Sequence, residues 1–554
     1  MTGSIAKGRS PRSISARRLT LISLAIALIA ASAAYAQKGS DYFFPGNRVV
    51  SRSVYDNNPN TVTVGETLPP NCATTAAGCN SPATNDGTYP QVWNNNLADS
   101  SFGITSKIFL DQITPSGSLV TSLEVPNSSQ NGVPPTKDQM VTSFPSKSEL
   151  ALNLSTDHSY LTFMGYIAPI DALDVSNSNT ASAVDPTNPV GENFSRAIAQ
   201  VDQKGKFKFT ATNAYSGNNG RAAILNNSAG ANFIYTAGNA GNGGNPQPDG
   251  IIIGAGAQIM DPQTKALIAQ DPGDPTPVAS FNITQLGDTA DKIGKDTNFR
   301  GLTIFHDVLY LTKGSGGNGV NTVYFVDSTG TVCTDANGIG LPAPSATLPT
   351  TPLPYNPAVL QTKGLDPNNM CILKGFPTAL KTKTAFPFGV WFADANTLYV
   401  SDEGNGDNTY STITGKFTKA AAQTTAGLQK WLFDSGLGMW KRAYTLQSGL
   451  GLGVPYTVAN YPTGNNPATG LPWSPATDGL RNITGVVNGD GTATIYAITS
   501  TVSGNGDQGA DPNKLVAITD TLSATTLPAT ESFTTVKAAA TLEVLRGVSF
   551  TPGS

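Results

Sequence analysis

The chain is poor in what most enzymes and nucleic-acid binders use. Only 13% of its 554 residues are charged and it holds two histidines, His158 and His306, and four cysteines. No GxSxG elbow and no HExxH helix occurs, which removes the sequence signatures of a serine hydrolase and a zinc protease. The glycine-rich DGIIIGAGAQ stretch is followed by no Lys-Ser/Thr pair, so it reads as a strand of small residues, not a phosphate loop. No CxxC occurs and the histidines lie far apart, which speaks against a zinc site. Both histidines fall in polar turns, TDHS and FHD, and are read as exposed turn residues without a catalytic role.

Long apolar runs are also missing, with one exception. Lys7, Arg9, Arg12, Arg17 and Arg18 precede LTLISLAIALIAASAAYA, and Ala34-Tyr35-Ala36 has the small-x-small form of a cleavage site. Residues 1–36 are therefore expected to be a signal peptide, and 37–554 a single domain with no membrane span after signal removal. Removing 1–36 takes away five positive charges and no negative ones, moving the net charge from −4 to −9. An acidic chain is a poor partner for nucleic acid or an anionic membrane. The expected location is secreted or periplasmic. Six Asn-x-Ser/Thr sites (Asn127, Asn153, Asn193, Asn226, Asn282 and Asn482) are acceptors for glycosylation in a eukaryotic host.

An even cysteine count in an exported chain suggests two disulfides. Of three pairings, the local one joins Cys72 to Cys79 and Cys333 to Cys371, each bracketing a loop-like segment.

What the chain has in abundance is turn chemistry: 57 Gly and 38 Pro, with much Asn, Thr and Ser. FGVWFADANTLYVSDEGNG (388–406) is an alternating strand, a polar turn, a second strand with an aromatic, then a small-residue loop. The pattern recurs at 149–166, 221–241, 300–317 and 483–500. Each copy is followed by a strand ending in a turn, as in KIFLDQITPSG, AIAQVDQKGK, GAQIMDPQTK, TVYFVDSTG, KWLFDSGLG and KLVAITDTLS. Asp202, Asp261, Asp327, Asp434 and Asp520 occupy matching places, where a short acceptor satisfies turn N–H groups. The unit is thus two hairpins, or four strands.

Six second modules stand against five complete first modules. The ends supply the missing one: LRGVSFTPGS (545–554) matches a first strand and NRVVSRSVYD (47–56) a second strand. Pairing the chain ends closes a ring and leaves no free edge between first and last units. The predicted fold is all-β, a six-bladed β-propeller of four-stranded blades. A seven-bladed ring is the alternative, should a long insertion hide a further blade. Insertions are placed at 58–100, 127–147, 168–192, 331–384 and 448–479, whose Pro, Asn, Gly and Ser content suits loops.

RGLTIF, FGVWFADANTLYVSDEGNG and RGVSF resemble the repeated hairpin of six-bladed propellers related to NHL-repeat, strictosidine-synthase-like and SMP-30/gluconolactonase-like proteins. The resemblance covers most of the mature chain in spaced pieces and singles out no one family. It implies that residues at the start of each first strand and after each second strand gather at one mouth of a central channel.

Four of the eight arginines beyond residue 36, Arg221, Arg300, Arg481 and Arg546, sit at or just before a first strand, and Arg52 ends a second strand. Such a ring of guanidinium groups suits a carboxylate or phosphate ligand. The structural alternative is that each arginine bridges to the neighbouring blade. In the acidic loop SDEGNGDN, Asp402, Glu403 and Asn408 offer hard oxygen ligands for calcium, although the spacing is not that of an EF-hand. No catalytic residue is assigned. The function read from these features is a binding scaffold for a protein, glycan or small anionic ligand. The alternative is a metal-dependent lactonase or phosphoesterase working at the channel mouth.

Overall fold

Alternation of apolar and polar residues between Gly-, Asn- and Asp-rich turns dictates short antiparallel ribbons, and the chain folds into six of them. The computed structural model describes Met1, Gly3 and residues 41–58, 60–61, 67–68, 83–84, 103–130, 139–144, 150–180, 191–212, 214–239, 256–262, 279–281, 298–314, 320–332, 338–349, 370–379, 385–467, 469–504, 509 and 511–554. The expected signal peptide, Cys72, Cys79 and Cys333 lie outside the described residues.

From the centre outward, blade 1 consists of Glu543–Phe550, Arg48–Val54, Ile104–Ile113 and Leu119–Glu124. Blade 2 is Asn153–Leu154, Tyr160–Tyr166, Arg196–Asp202 and Phe207–Thr212. Blade 3 is Gly220–Asn226, Phe233–Gly238, Ala257–Met260 and Ala279–Phe281. Blade 4 is Phe299–Phe305, Val308–Lys313, Thr322–Val326 and Met370–Leu373, with Ile339–Gly340 added in parallel outside. Blade 5 is Pro387–Asp394, Thr397–Asp402, Gly427–Asp434 and Met439–Leu446. Blade 6 is Ala476–Val487, Thr492–Val502, Lys514–Thr521 and Thr534–Ala538.

The inner strands touch one another in sequence, 1 through 6 and back to 1, so the ring is closed. Closure is as the chain ends foretell. Val50 sits opposite Val548 and Arg48 opposite Phe550, so one C-terminal strand joins three N-terminal ones. The ring has six blades, not seven. The core lies between blades: Tyr324, Phe325, Val390, Leu398 and Trp431 belong to one cluster across blades 4 and 5.

A repeated hydroxyl locks inner strands together. Ser51, Thr312 and Ser401, on the second strands of blades 1, 4 and 5, each accept the N–H of their own inner glycine (Gly547, Gly301, Gly389) at 2.7–3.0 Å. Each then donates to a carbonyl of the next blade: Leu150, Phe388 and Arg481 respectively. Thr162 of blade 2 does the same toward Ala223, at 2.6 Å. A Cβ at Gly301 would stand 2.3 Å from the Phe388 carbonyl, so the close approach requires glycine.

The turn aspartates divide into two kinds. Asp202, Asp327 and Asp434 accept backbone N–H groups of their own turns. Asp520 instead turns inward, fully buried, and pairs with Lys430 of blade 5. The long insertion within blade 5, 403–426, is also structured. It carries the hairpin Tyr410–Ser411/Lys416–Phe417 and the short helix Thr418–Ala421, which the repeat pattern does not announce. Cys371 is buried in the fourth strand of blade 4, and no described cysteine carries a free thiol. Four of the Asn-x-Ser/Thr sites are engaged within the fold, Asn153 through a bond from its Nδ2 to the Ala223 carbonyl at 3.2 Å. Asn127 is buried and bonded to Glu124, Asn226 bonds Tyr235, and Asn482 accepts the N–H of Val548.

Candidate ligand site at the channel mouth

Second strands end where inner strands begin: Lys313 lies opposite Phe299, and Asp402 opposite Pro387. The register of the inner strands slips at this end. Arg221, Arg300, Arg481 and Arg546 each fall inside such a slip, between Gly220 and Ala222, Phe299 and Leu302, Leu480 and Ile483, and Leu545 and Gly547. A bulge re-aims the side chain of its extra residue. The shared position seen in the sequence is therefore a shared local geometry, and all four side chains are buried.

Two of the four arginines meet at one carboxylate. Glu403, the first residue after the second strand of blade 5, is 1% exposed. Its Oε1 pairs with Arg300 Nη2 of blade 4 at 3.1 Å, and its Oε2 with Arg481 Nε of blade 6 at 3.3 Å. Arg481 also stands over the Phe388 ring, 5.9 Å from its centre. Its Nη2 is buried and has no hydrogen-bond partner among the described residues. One carboxylate thus faces two buried guanidinium groups.

The other arginines are placed differently. Arg221 donates to the Asn298 side chain and, at 3.0 Å, to the Phe299 carbonyl, bridging blade 3 to blade 4. Arg546 donates to Ser53 at 3.2 Å inside blade 1. Arg52 lies opposite Leu545, beside Arg546, but turns to other partners. It forks onto Asp111 at 2.8 and 3.1 Å and onto Glu543 at 2.6 Å, and Lys537 of blade 6 reaches the same Asp111 at 3.5 Å. Interblade bridging, the structural alternative, accounts for Arg221, Arg300 and Arg481 as placed.

Asp402 and Glu403 point to different partners although adjacent. Asp402 Oδ2 accepts the N–H of Phe386 at 2.9 Å and Gln429 Nε2 at 3.3 Å, and Oδ1 accepts the N–H of Gly404 at 3.0 Å. Burial pushes its carboxyl up to about 6; the backbone donors oppose the shift and the charge of Glu403 adds to it. Asn408 Nδ2 donates to the Ser503 carbonyl at 3.2 Å. The loop is pinned from the far side by Asp478, which accepts from Gly406 N–H at 2.8 Å and from Gln423 Nε2 at 2.6 Å. A cation at Asp402 and Glu403 would have to displace backbone amides from one and arginines from the other. Among the described residues no group of three or more His, Cys, Asp or Glu side chains is placed to hold a metal ion.

The sequence reading missed a second feature of this end of the ring. A cavity of about 600 Å³ opens at the seam of blades 4 and 5, walled by Phe376 and Thr322 on one side and Trp431, Trp440 and Arg442 on the other. Its only signal in the sequence is the aromatic and cationic run MWKR at 439–442.

No known family profile matches the chain, and no curated protein matches it. Among solved structures, an ulvan lyase of polysaccharide lyase family PL25 bound to a GlcA–Rha3S fragment is 11% identical. The match covers 83% of this chain and 93% of that one, at a TM-score of 0.28. Prolyl oligopeptidase B from Galerina marginata is 8% identical, with 79% of this chain and 39% of that one covered, at a TM-score of 0.25. Likenesses at this level carry no functional argument, and the six blades are read from this chain's own strand pairings.

Proposed function

We propose that this chain is an exported binding propeller whose channel mouth takes a small ligand with a carboxylate or phosphate group. The observation that carries this reading is the meeting of Arg300 and Arg481 on the single carboxylate of Glu403, with Arg481 Nη2 buried and unpartnered among the described residues. A buried charged donor without a partner costs free energy that an anionic acceptor recovers. Export is supported by the basic, apolar and small-x-small order of residues 1–36.

The test is thermal unfolding of the purified protein with phosphate, citrate or glucuronate, alongside Arg481→Gln. A ligand of the native state raises the midpoint in proportion to its concentration over its Kd. At least one anion is expected to raise it for wild type and not for Arg481→Gln. If no anion moves the midpoint, or if the variant responds like wild type, the mouth is a structural seam only.

A further inference from the structure

We infer that the seam between blades 4 and 5 holds a second site, separate from the arginines at the mouth, and that it takes an acidic sugar. The cavity there is about 600 Å³, within the ~300–1,000 Å³ of small-molecule sites. Its construction favours a ligand that is apolar on one face, rich in hydroxyls and negatively charged.

The apolar wall is built across the seam. Phe376, which follows the fourth strand of blade 4, stacks on Trp431 of blade 5 with ring centres 3.9 Å apart and planes 19° from parallel. Trp440 lines the same cavity, and its backbone N–H donates to the Lys374 carbonyl at 3.0 Å. The Trp431 indole is fixed by its N–H, which donates to Gln429 Oε1 at 3.1 Å, and Gln429 is held in turn by Asp402. Aromatic walls of this kind receive the C–H face of a pyranose ring.

The polar wall has unused capacity. Thr322 lines the cavity, is 1% exposed, and its hydroxyl has no hydrogen-bond partner among the described residues. A buried hydroxyl of this kind points to a missing partner. Thr378 lies in the same lining and is exposed.

The charge is of one sign. Arg442 and Lys441 line the cavity, and none of the described lining residues is acidic. Lys441 is taken up by Asp434 at 2.8 Å. Arg442 is exposed and makes no ion pair or side-chain hydrogen bond among the described residues, so its planar fork is available to a carboxylate. A neutral sugar would give that fork hydroxyl acceptors but no opposite charge. Inorganic phosphate would leave the aromatic wall and Thr322 unused.

The probes are digalacturonate, maltose and inorganic phosphate, titrated into the purified protein by calorimetry and tryptophan fluorescence. Digalacturonate is expected to bind and to shift the tryptophan emission, with maltose and phosphate weaker by roughly tenfold or more. Arg442→Gln, at an exposed position, should weaken digalacturonate by roughly tenfold with an unchanged melting midpoint. Thr322→Val should weaken it by a smaller factor. Arg481→Gln should leave it unchanged, which separates this site from the mouth. The inference is overturned if digalacturonate does not bind the folded wild type, or if maltose or phosphate binds as well. It is equally overturned if Arg442→Gln binds like wild type or if Arg481→Gln is the variant that abolishes binding.

Discussion

Lys430 Nζ stands 2.9 Å from Asp520 Oδ2, and neither side chain touches solvent. The pair joins the third strands of blades 5 and 6. Lys430 also donates to the Tyr444 hydroxyl at 3.0 Å and to the carbonyls of Thr521 and Leu522 at 2.7 and 3.0 Å. Asp520 accepts the hydroxyls of Tyr444 and Tyr399. Burial, together with the charge of Asp520, pushes both phenols far above their ordinary range, so they remain donors.

Removing one partner of a buried pair strands the other charge, at a cost of about 3–5 kcal/mol. Lys430→Met is expected to lose that much in urea unfolding. The double variant Lys430→Met/Asp520→Leu should lose less than Lys430→Met alone, because no charge is left buried. A single variant that loses under about 1 kcal/mol would show that the seam does not depend on the pair.

The hydroxyl lock makes a separate claim. Thr312→Val keeps the shape of the side chain and removes the donor to Phe388 and the acceptor of Gly301 N–H. Both backbone groups are buried, so the expected loss is about 1–3 kcal/mol. Ser401→Ala should behave alike, since it breaks the same two bonds one blade further on. Equal stability of Thr312→Val and wild type would mean the lock is geometric only.

Asp402 gives the protein a pH dependence of definite sign. Its carboxyl is raised to about 6 in the folded state, above the 3.8 of an ordinary aspartate. The folded state therefore holds a proton that the unfolded state releases between about pH 4 and 6. This group's contribution to stability is greatest below its unfolded pKa and is lost as pH rises through the folded value. Denaturant unfolding is expected to show stability falling from pH 5 to pH 7, by about 1 kcal/mol. Asp402→Asn should flatten that slope; an unchanged slope would assign it to another group. Asp157, lowered to about 2 by bonds from Ser159, Ser155 and Asn227, acts in a separate, more acidic window.

Gly375 tests the construction of the cleft. It has φ +104°, and a Cβ there would stand 2.0 Å from the Trp440 carbonyl. Gly375→Ala is expected to cost on the order of 2 kcal/mol or more and to shift tryptophan emission as the Phe376–Trp431 stack is displaced. An emission spectrum identical to wild type would show that the stack does not depend on this approach.

The blades were legible because a hairpin is a local object. Alternation in RGLTIFHDVLYLTK or FGVWFADANTLYV fixes two strands and the turn between them, and the turn residues fix their register. Closure was legible from the imbalance of modules, since RGVSF had no local partner and NRVVSRSV lacked an inner strand. The hydroxyl lock was present in the sequence as Ser51, Thr162, Thr312 and Ser401 at matching places, but its acceptors lie on the next blade. The insertion at 403–426 breaks the repeat and follows no period.

By itself, then, the sequence determined an all-β chain of repeated hairpins and the common position of Arg221, Arg300, Arg481 and Arg546. Tertiary structure decided what those arginines meet. Glu403 gathers Arg300 and Arg481 from the two blades that flank it, while Arg52 turns to Asp111 and Glu543. It also decided that Asp520 is an interior ion-pair partner and not a turn acceptor, and that residues 55 apart, Phe376 and Trp431, form one wall. The physical reason is the same in each case. Backbone pattern follows from neighbours along the chain, whereas the partner of a side chain is set by how adjacent blades pack.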